Sequence, residues 1–348
     1  MSTSKQRVVV VCPGRGTYNA PEWGYLKRHH ADKSALLESF DDYRRQHQQP
    51  TLTELDEEKA YSLKLHSRGD HASGLIYACA YADFLDIDQD RYEIVAVTGN
   101  SMGWYISLAI AGALDAQKGL HLVNTMGGLM QERLIGGQLL IPWVDDDWRP
   151  DWDARARYLA LADEICKSGE GRAYLSIDLG GMMVFGADTP GMAALNRGLP
   201  KKDHFPMRLL NHAAFHTPLQ EPVRAMAKEA LGPALFGRPE IPLIDGRGHI
   251  WSPWSTDHKA LWDYTLSHQL TQPYDFNAAL RVAVREFAPD KLIILGPGTT
   301  LGGAVAQSLI LSNWQDMNSK AAFKQRQEDN PLMISMGMPE QRPIVLRQ

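Results

Sequence analysis

A serine between two glycines is the strongest chemical signal in the sequence. Residues 99–103 read GNSMG, which has the form G-x-S-x-G, and the pattern around them predicts a buried strand before this segment and an apolar helix after it. A nucleophile elbow requires that context, because small glycines allow a sharp turn that lifts the serine hydroxyl clear of the sheet. The N-terminus of the helix points N–H groups at the same place and can stabilise an anion. We therefore predict Ser101 as a nucleophile, against the alternative of a plain turn with an incidental serine.

A serine hydroxyl is a weak nucleophile and needs a base within hydrogen-bond reach. The chain contains 12 histidines, so composition alone does not select one. His212 and His216 stand in an apolar loop that opens a helix, whereas His29 and His30 lie in a polar stretch typical of a solvated surface. By residue type alone, either loop histidine is more often structural than catalytic.

Two other glycine-rich turns are poor candidates for a dinucleotide site. Residues 13–16 (PGRG) and 296–298 (GPG) each follow a predicted strand. Neither continues as G-x-G-x-x-G, since Asn19 and Leu301 occupy the third glycine positions. A lone G-x-G is a weak motif, so we expect no NAD-binding site.

Composition and charge argue against several classes of protein. The 348 residues contain 36 Lys plus Arg and 41 Asp plus Glu, a net charge of -5, and this mild acidic excess argues against a nucleic acid partner. Cys12, Cys79 and Cys166 are far apart, so we expect neither a disulfide framework nor a bound metal. The N-terminal apolar run is too short for a secretory signal, and no stretch reaches the ~18 apolar residues of a membrane helix. We expect a cytoplasmic protein that does not bind membranes.

The elements that must position Ser101 form an α/β pattern. β-Branched runs predict buried parallel strands, and apolar residues at helical spacing predict helices between them. The predicted strands of this part are Arg7–Cys12, Tyr92–Val97, Ile241–Asp245 and Lys291–Leu295, and the predicted helices are Ala35–Tyr43, Glu54–Leu63, His71–Phe84, 103–113, Ala116–Arg133, Leu219–Leu231, Lys259–Leu270, Asn277–Phe287, Leu301–Leu311 and Lys320–Gln327. Strand, tight turn, helix and strand again is typical of an α/β fold.

Residues 135–210 have a different pattern. Strands are predicted at Gln138–Val144, Ala173–Asp178, Met182–Phe185 and Pro206–Leu210, with helices at Trp152–Lys167 and Pro190–Arg197. The order β-α-β-β-α-β is that of a ferredoxin-like subdomain, and its length is about half that of a typical domain. We predict a parallel-sheet, hydrolase-like α/β core of residues 1–134 and 211–348, with residues 135–210 inserted as a small ferredoxin-like (βαββαβ) subdomain.

Six segments together resemble the malonyl-CoA:acyl carrier protein transacylases and the acyltransferase domains of polyketide synthases. The segment GNSMGWYISLAIAGAL around Ser101 resembles their G-H-S-x-G-E-Y…A-G-A-L, and AAFHTPLQEP around His216 resembles their A-F-H-S-P-L-M. The other similar segments are PGRGTYN (13–19), GLMQER (128–133), LTQPYDF (270–276) and LGPGTTLGG (295–303). The six keep the family's order from about residue 7 to residue 311, so the chain is identified as a divergent member of this family.

The resemblance implies a ping-pong acyl transfer. Ser101 would attack an acyl thioester and hold the acyl group as an ester, and His216 would act as general base and then as acid. The backbone N–H groups of Arg15 and Met102 would form the oxyanion hole. In this family a backbone carbonyl orients the histidine, and Asp275 stands in that segment here. Either its carboxylate strengthens the base, or Asp275 only caps a helix and contributes its carbonyl.

The clearest departure from the family pattern concerns the acyl pocket. The family's malonyl-binding Arg precedes Gly in R-G-x-x-M-Q, and Met126 takes its place here. A buried carboxylate without its bidentate Arg costs several kcal/mol, so we expect a different or uncharged acyl group, or a repositioned cation. Arg15, in place of the family's usual Gln, is the first candidate for that cation, and Arg133 is a weaker one. The alternative is that Arg15 only bonds a neighbouring loop.

Three further residues are assigned to the acyl pocket. Asn100 replaces the family's usual His beside the nucleophile. Trp104 replaces the usual Glu, where it either narrows the pocket or packs against the helix. Phe215 resembles the bulky residue of polyketide acyltransferases that take small extender units, which favours a short acyl group.

The predicted function is S-acyl transfer from acyl-CoA, or from another acyl carrier protein, to the phosphopantetheine thiol of an acyl carrier protein, in fatty acid or polyketide biosynthesis. Acyl-CoA and the carrier are substrates, and no bound cofactor is expected. The alternatives are an editing hydrolase that clears acyl groups from carriers and a non-catalytic docking subunit. An α/β-hydrolase would need an acidic triad residue between Ser101 and His216, and residues 145–147 lie in the inserted unit, a poor place for one.

Overall fold

Strands and helices alternate along the chain in a computed structural model that describes residues 4–347. The strands are β1 (Gln6–Cys12), β2 (Tyr92–Gly99), β3 (Gly137–Pro142), β4 (Ala173–Leu179), β5 (Met182–Ala187), β6 (Met207–Leu209), β7 (Leu243–Ile244), β8 (Ile250–Trp251), β9 (Tyr274–Asp275), β10 (Lys291–Ile294) and β11 (Met333–Ser335). The helices are α1 (Tyr25–His30), α2 (Ser34–Gln46), α3 (Leu52–Asp56), α4 (Leu63–His66), α5 (Gly69–Asp86), α6 (Gly103–Ile110), α7 (Ala116–Glu132), α8 (Trp152–Ser168), α9 (Thr189–Gly198), α10 (Glu221–Ala230), α11 (His258–Leu266), α12 (His268–Thr271), α13 (Phe276–Phe287), α14 (Leu301–Leu311) and α15 (Lys320–Asp329). No helix within residues 4–347 has the length and apolar character needed to cross a bilayer.

The strand β1 lies at the centre of a six-stranded sheet with the order β11-β10-β1-β2-β7-β8. Neighbouring strands are parallel except β7 and β8, which are antiparallel. The valines at 8–11 are fully buried, as expected of a central parallel strand covered on both faces. Because parallel strands end at one edge of a sheet, the loops that follow β1 and β2 meet there. The predicted parallel-sheet α/β core is confirmed.

The second sheet has the strand order β6-β3-β5-β4-β9. Along the chain, β3, α8, β4, β5, α9 and β6 follow one another as β-α-β-β-α-β, and the pairs among these four strands are antiparallel. This is the ferredoxin-like arrangement, and it lies within residues 135–210. The sequence patterns did not predict β9, which comes from the main part of the chain and extends the small sheet in parallel with β4.

The small sheet has two apolar faces because side chains alternate along a strand. In β5, Met183 and Phe185 pack in a separate apolar cluster that also contains residues of α8 and α9. Val184, between them, belongs to the main hydrophobic core, as does Ile177 of β4. One face of the small sheet is therefore covered by its own helices, and the other faces the main sheet.

Two predicted helices are interrupted in the structure. In place of a helix over Glu54–Leu63 there are α3 and α4, because residues 57–60 are exposed and offer the core no apolar side chain. The helix α3 begins instead at Leu52. The hydroxyl of the preceding Thr51 accepts from the N–H of Glu54 at 3.1 Å and so caps the first turn. The helix predicted over Lys259–Leu270 breaks at Ser267, between α11 and α12.

The C-terminal segment, to which the sequence assigned only one helix, completes the main sheet through β11 and is fixed by a buried ion-pair network. The guanidinium of Arg342 lies 2.6 Å from an Asp83 carboxylate oxygen and 3.2 Å from an Asp86 oxygen. The other oxygen of Asp83 accepts from the N–H of Gly296 at 2.7 Å. One carboxylate therefore joins α5, the tail and the loop after β10.

We expect Arg342→Ala to lower the free energy of unfolding by about 3–5 kcal/mol, because it leaves the buried Asp83 carboxylate without its guanidinium. Urea denaturation followed by circular dichroism measures the change. Arg347→Ala is the matched control, since the pair of Arg347 with Asp90 is 78% and 77% exposed and exposed pairs contribute little. Equal losses in the two variants would show that the network does not anchor the tail.

Candidate active site

The turn between β2 and α6 has the geometry of a nucleophile elbow. Ser101 takes a left-handed backbone conformation with φ of 57°, which is strained for a residue with a side chain. Glycines flank it because the turn passes close to the end of β1. A Cβ at Gly103 would overlap the carbonyl oxygen of Cys12, and a Cβ at Gly99 would come within 2.5 Å of the Gly103 carbonyl.

Ser101 and His216 are in hydrogen-bond contact. The Ser101 Oγ lies 2.7 Å from His216 Nε2, and His216 Nδ1 lies 2.6 Å from the carbonyl oxygen of Gln269. Because a carbonyl only accepts, Nδ1 carries the ring proton, and Nε2 of the neutral ring presents a lone pair to the serine hydroxyl. The arrangement positions His216 to take the Ser101 proton.

Burial keeps the His216 ring neutral. It lowers the pKa of His216 to about 4, and nearby His268 acts in the same direction, whereas the hydrogen bond to the Gln269 carbonyl raises the pKa. The largest cause is the loss of water around the charged form of the ring. At neutral pH the ring is therefore unprotonated at Nε2 and available as a base.

Gln269 contacts both members of this pair, and sequence reasoning missed it. Besides its carbonyl bond to His216, its side-chain Nε2 donates to the Ser101 carbonyl oxygen at 3.0 Å. The prediction that Asp275 orients the histidine is wrong. Its carboxylate caps α13 by accepting from the N–H of Ala278 at 2.7 Å, and the carbonyl that His216 uses is six residues earlier in the chain. A main-chain acceptor has no residue-type signature, so only the resemblance pointed to this region.

A mostly apolar pocket leads from Ser101 into the main core. The residues that line it are Arg15, Ser73, Ser101, Met102, Tyr105, Val123, Met126, Gly127, Met130, Phe215, His216, Gln269 and Leu270. The structure therefore brings the predicted pocket residues Met126 and Phe215 to Ser101. It also brings Arg15 and Met102, the two residues predicted for the oxyanion hole, to the same place.

Two residues predicted for the acyl pocket lie elsewhere. Trp104 is fully buried in the core, where its indole N–H donates to Thr265 Oγ1 at 3.0 Å and its ring packs edge-on against Tyr264. The packing alternative for Trp104 is the observed one, since this face of α6 turns away from the pocket. Asn100 does not line the pocket either; it lines a groove on the other side of Ser101.

Arg15 reaches the acyl pocket, whereas Arg133 is exposed at the end of α7. The Nη2 of Arg15 donates to the carbonyl oxygens of Ser67 and Asn211, each at 3.1 Å, and its guanidinium lies 5.6 Å from the centre of the Phe215 ring. Its Nη1 is buried without a hydrogen-bond partner among residues 4–347. The pKa of Arg15 is lowered to about 10, because the effect of burial outweighs the opposite effect of nearby Asp70. The side chain therefore stays charged at neutral pH.

A second, wider groove also reaches Ser101. It runs between the inner face of the small sheet and the start of α14. Aliphatic side chains such as Leu140, Ile177 and Val184 form one wall, and Arg15 and Ser101 line the groove as well as the pocket. Ser101 therefore lies where the two cavities meet.

No protein-family model matches the chain, and its similarity to curated proteins is partial. It is 25% identical over 194 residues to the non-reducing polyketide synthase nscA of Aspergillus fumigatus, which is 55% of this chain and 10% of that protein. It is 27% identical over 196 residues to the non-reducing polyketide synthase pgmA of Aspergillus terreus, covering 55% of this chain and 8% of that protein. The chain therefore matches only about a tenth of the length of these relatives.

Solved structures match over almost the whole chain. A malonyl-CoA:acyl carrier protein transacylase of Xanthomonas oryzae has a TM-score of 0.75 at 18% identity, covering 99% of this chain and 98% of that one. An acyl-carrier-protein S-malonyltransferase of Burkholderia pseudomallei has a TM-score of 0.74 at 19% identity, covering 97% and 98%. A malonyl-transacylase in complex with a type II polyketide synthase acyl carrier protein has a TM-score of 0.67 at 17% identity, covering 94% and 100%. The chain thus has the fold of the malonyl-CoA:acyl carrier protein transacylases, and the resemblance predicted from six sequence segments is confirmed at the level of the fold.

Proposed function

We propose that the protein transfers an acyl group from acyl-CoA or an acyl carrier protein to the phosphopantetheine thiol of an acyl carrier protein, through an ester on Ser101. The observation that carries the proposal is the 2.7 Å contact between Ser101 Oγ and His216 Nε2, with the histidine tautomer fixed by a carbonyl. Similarity to structures named malonyltransferases supports the reaction class, and the structure solved with a carrier protein supports the partner.

Each half of the reaction moves one proton through His216. In the first half, Nε2 takes the proton of Ser101 Oγ while Oγ bonds to the thioester carbonyl carbon, and the same proton then passes to the sulfur as the C–S bond breaks. In the second half, the carrier thiol gives its proton to Nε2 and attacks the ester, and Ser101 Oγ leaves with that proton. The backbone N–H groups of Arg15 and Met102 are assigned to the oxyanion of both tetrahedral intermediates.

Ser101→Ala is expected to abolish covalent loading, because no other group takes the place of Oγ beside His216. Incubation with acetyl- and malonyl-CoA followed by intact-protein mass measurement detects the adduct. Ser107→Ala is the matched control, since its buried hydroxyl donates to the Gly103 carbonyl at 2.8 Å and not to the site. Adduct formation in Ser101→Ala, or none in the unmodified protein, would contradict the proposal, and the second result would favour a docking subunit.

The fate of the ester separates transfer from hydrolysis. A transferase holds the acyl group until a carrier thiol arrives, so the acyl-enzyme is expected to persist in buffer and to be cleared on addition of carrier protein bearing phosphopantetheine. The measurement is the mass of the enzyme and of the carrier over time. Loss of the adduct in water at the same rate without a carrier would instead identify an editing hydrolase.

We further propose that the acyl group is short and carries a carboxylate or another acceptor that binds Nη1 of Arg15. The pocket position of the family's Arg is held by Met126, so a carboxylate there needs another cation. Arg15 supplies one whose other amino group is fixed by two carbonyls and whose Nη1 is free among the described residues. The repositioned cation is favoured over the uncharged acyl group for this reason.

Arg15→Met is expected to lower the ratio of malonyl to acetyl loading rates by at least about tenfold, because it removes the charge that offsets burial of the second carboxylate. The proposed oxyanion donor at position 15 is a backbone N–H and remains. Arg133→Met, at an exposed position just after α7, is the control and should leave the ratio unchanged. An unchanged ratio in Arg15→Met, or exclusive loading of neutral acyl groups by the unmodified protein, would return the assignment to an uncharged substrate.

The rate of Ser101 acylation is expected to stay constant from neutral pH to about pH 5 and to fall as the pH passes about 4. His216 acts as a base only when neutral, and its pKa is lowered to about 4 by burial, so protonation removes the base only below that value. Single-turnover acylation measured by mass gives the profile, with circular dichroism over the same range as the control for folding. A fall centred near the ordinary histidine pKa of about 6.5 would contradict the buried, neutral base.

A further inference from the structure

A second histidine stands at the groove that leads to Ser101. His212 precedes His216 by four residues in the same loop and lines the wider groove together with Arg15 and Ser101. It is partly exposed there and makes no contact with the Ser101 hydroxyl. The reaction proposed above gives it no task.

A chain of buried hydrogen bonds fixes the tautomer of His212. The Ser176 hydroxyl donates to the carbonyl oxygen of Phe215 at 2.7 Å, which uses its only proton. Ser176 Oγ therefore accepts from the amide nitrogen of Gln138, also at 2.7 Å. The remaining amide oxygen of Gln138 is an acceptor and lies 2.8 Å from His212 Nδ1, so Nδ1 must carry the proton.

The charge state of the ring follows from its surroundings. Burial lowers the pKa of His212 to about 3, and the positive charge of Arg15 lowers it as well. At neutral pH the ring therefore carries one proton, at Nδ1. Its Nε2 is left as a lone pair that can only accept a hydrogen bond, and no described residue within 4–347 donates to it.

We propose that His212 Nε2 is a recognition site for an amide N–H of the pantetheine arm that carries the thioester or thiol to Ser101. The inference rests on the proposed function, because that function sends such an arm along this groove. His216 already occupies the proton-transfer position beside Ser101, so His212 acts as a positioning residue on a part of the arm away from the sulfur. His212 Nε2 is an acceptor with one fixed orientation in a largely aliphatic groove. It therefore favours a ligand that places an N–H donor at that point.

The test compares thioesters of one acyl group that differ only in the arm. Acyl-pantetheine has amide N–H groups, and the ethyl thioester of the same acid has none. The second-order rate of Ser101 acylation is measured by mass for each. His212→Phe, which keeps a ring but removes the acceptor, is expected to lower this rate about tenfold for acyl-pantetheine and to leave it within about twofold for the ethyl thioester, because one hydrogen bond is lost with only one of them.

A second variant covers the case in which His212→Phe does not fold. Gln138→Met keeps the imidazole but frees its tautomer, so a smaller loss is expected with acyl-pantetheine and none with the ethyl thioester. Equal losses with both thioesters in the two variants would show a structural role and overturn the inference. Failure of the unmodified protein to react with either thioester would instead refute the proposed function, so the two failures are distinguishable.

Discussion

The close crossing of the Ser101 turn over the end of β1 is the constraint on which the site depends. Gly103 packs against the carbonyl of Cys12 with no space for a side chain, and this approach pushes Ser101 into its left-handed conformation. Since β1 and β2 are parallel neighbours, the loop that carries Arg15 arrives at the same edge. The sheet thus brings Ser101 and Arg15 together although they are far apart in the sequence.

The electrostatics of the site follow from burial more than from partner charges. His216 is oriented by a carbonyl, a neutral acceptor that fixes the tautomer without stabilising the charged ring as a carboxylate would. Its pKa falls accordingly. Arg15 is the charged side chain among those that line the pocket beside Ser101, and its Nη1 is buried without a hydrogen-bond partner among residues 4–347.

The small sheet contributes a wall and not a catalytic group. Because side chains alternate along β5, one face of the small sheet packs against its own helices and the other faces the groove and the main core. Through Gln138 and Ser176, the same sheet also reaches the loop that carries both histidines.

The local patterns of the sequence determined the fold class, most of the strands and helices and the position of the Ser101 turn. Runs of valine, the spacing of glycines and helical periodicity each involve residues close together in the sequence, so the sequence alone predicts the strands, turns and helices that they form. The family resemblance paired Ser101 with His216 across 115 positions. The same resemblance pointed to Met126 and Phe215, which line a pocket together with Ser101.

Tertiary structure alone decided which atoms complete the site. Gln269 orients His216 through its backbone carbonyl. Because every residue has such a carbonyl, the residue type at 269 gave no signal, and Asp275 was predicted wrongly in its place. Asn100 and Trp104 lie on either side of Ser101 and Met102 in the sequence, yet neither lines the pocket. Long-range packing sets the direction of each side chain. The position of Arg15 likewise depends on two distant carbonyls, of Ser67 and Asn211, which accept from its Nη2. Its Nη1 has no hydrogen-bond partner within residues 4–347.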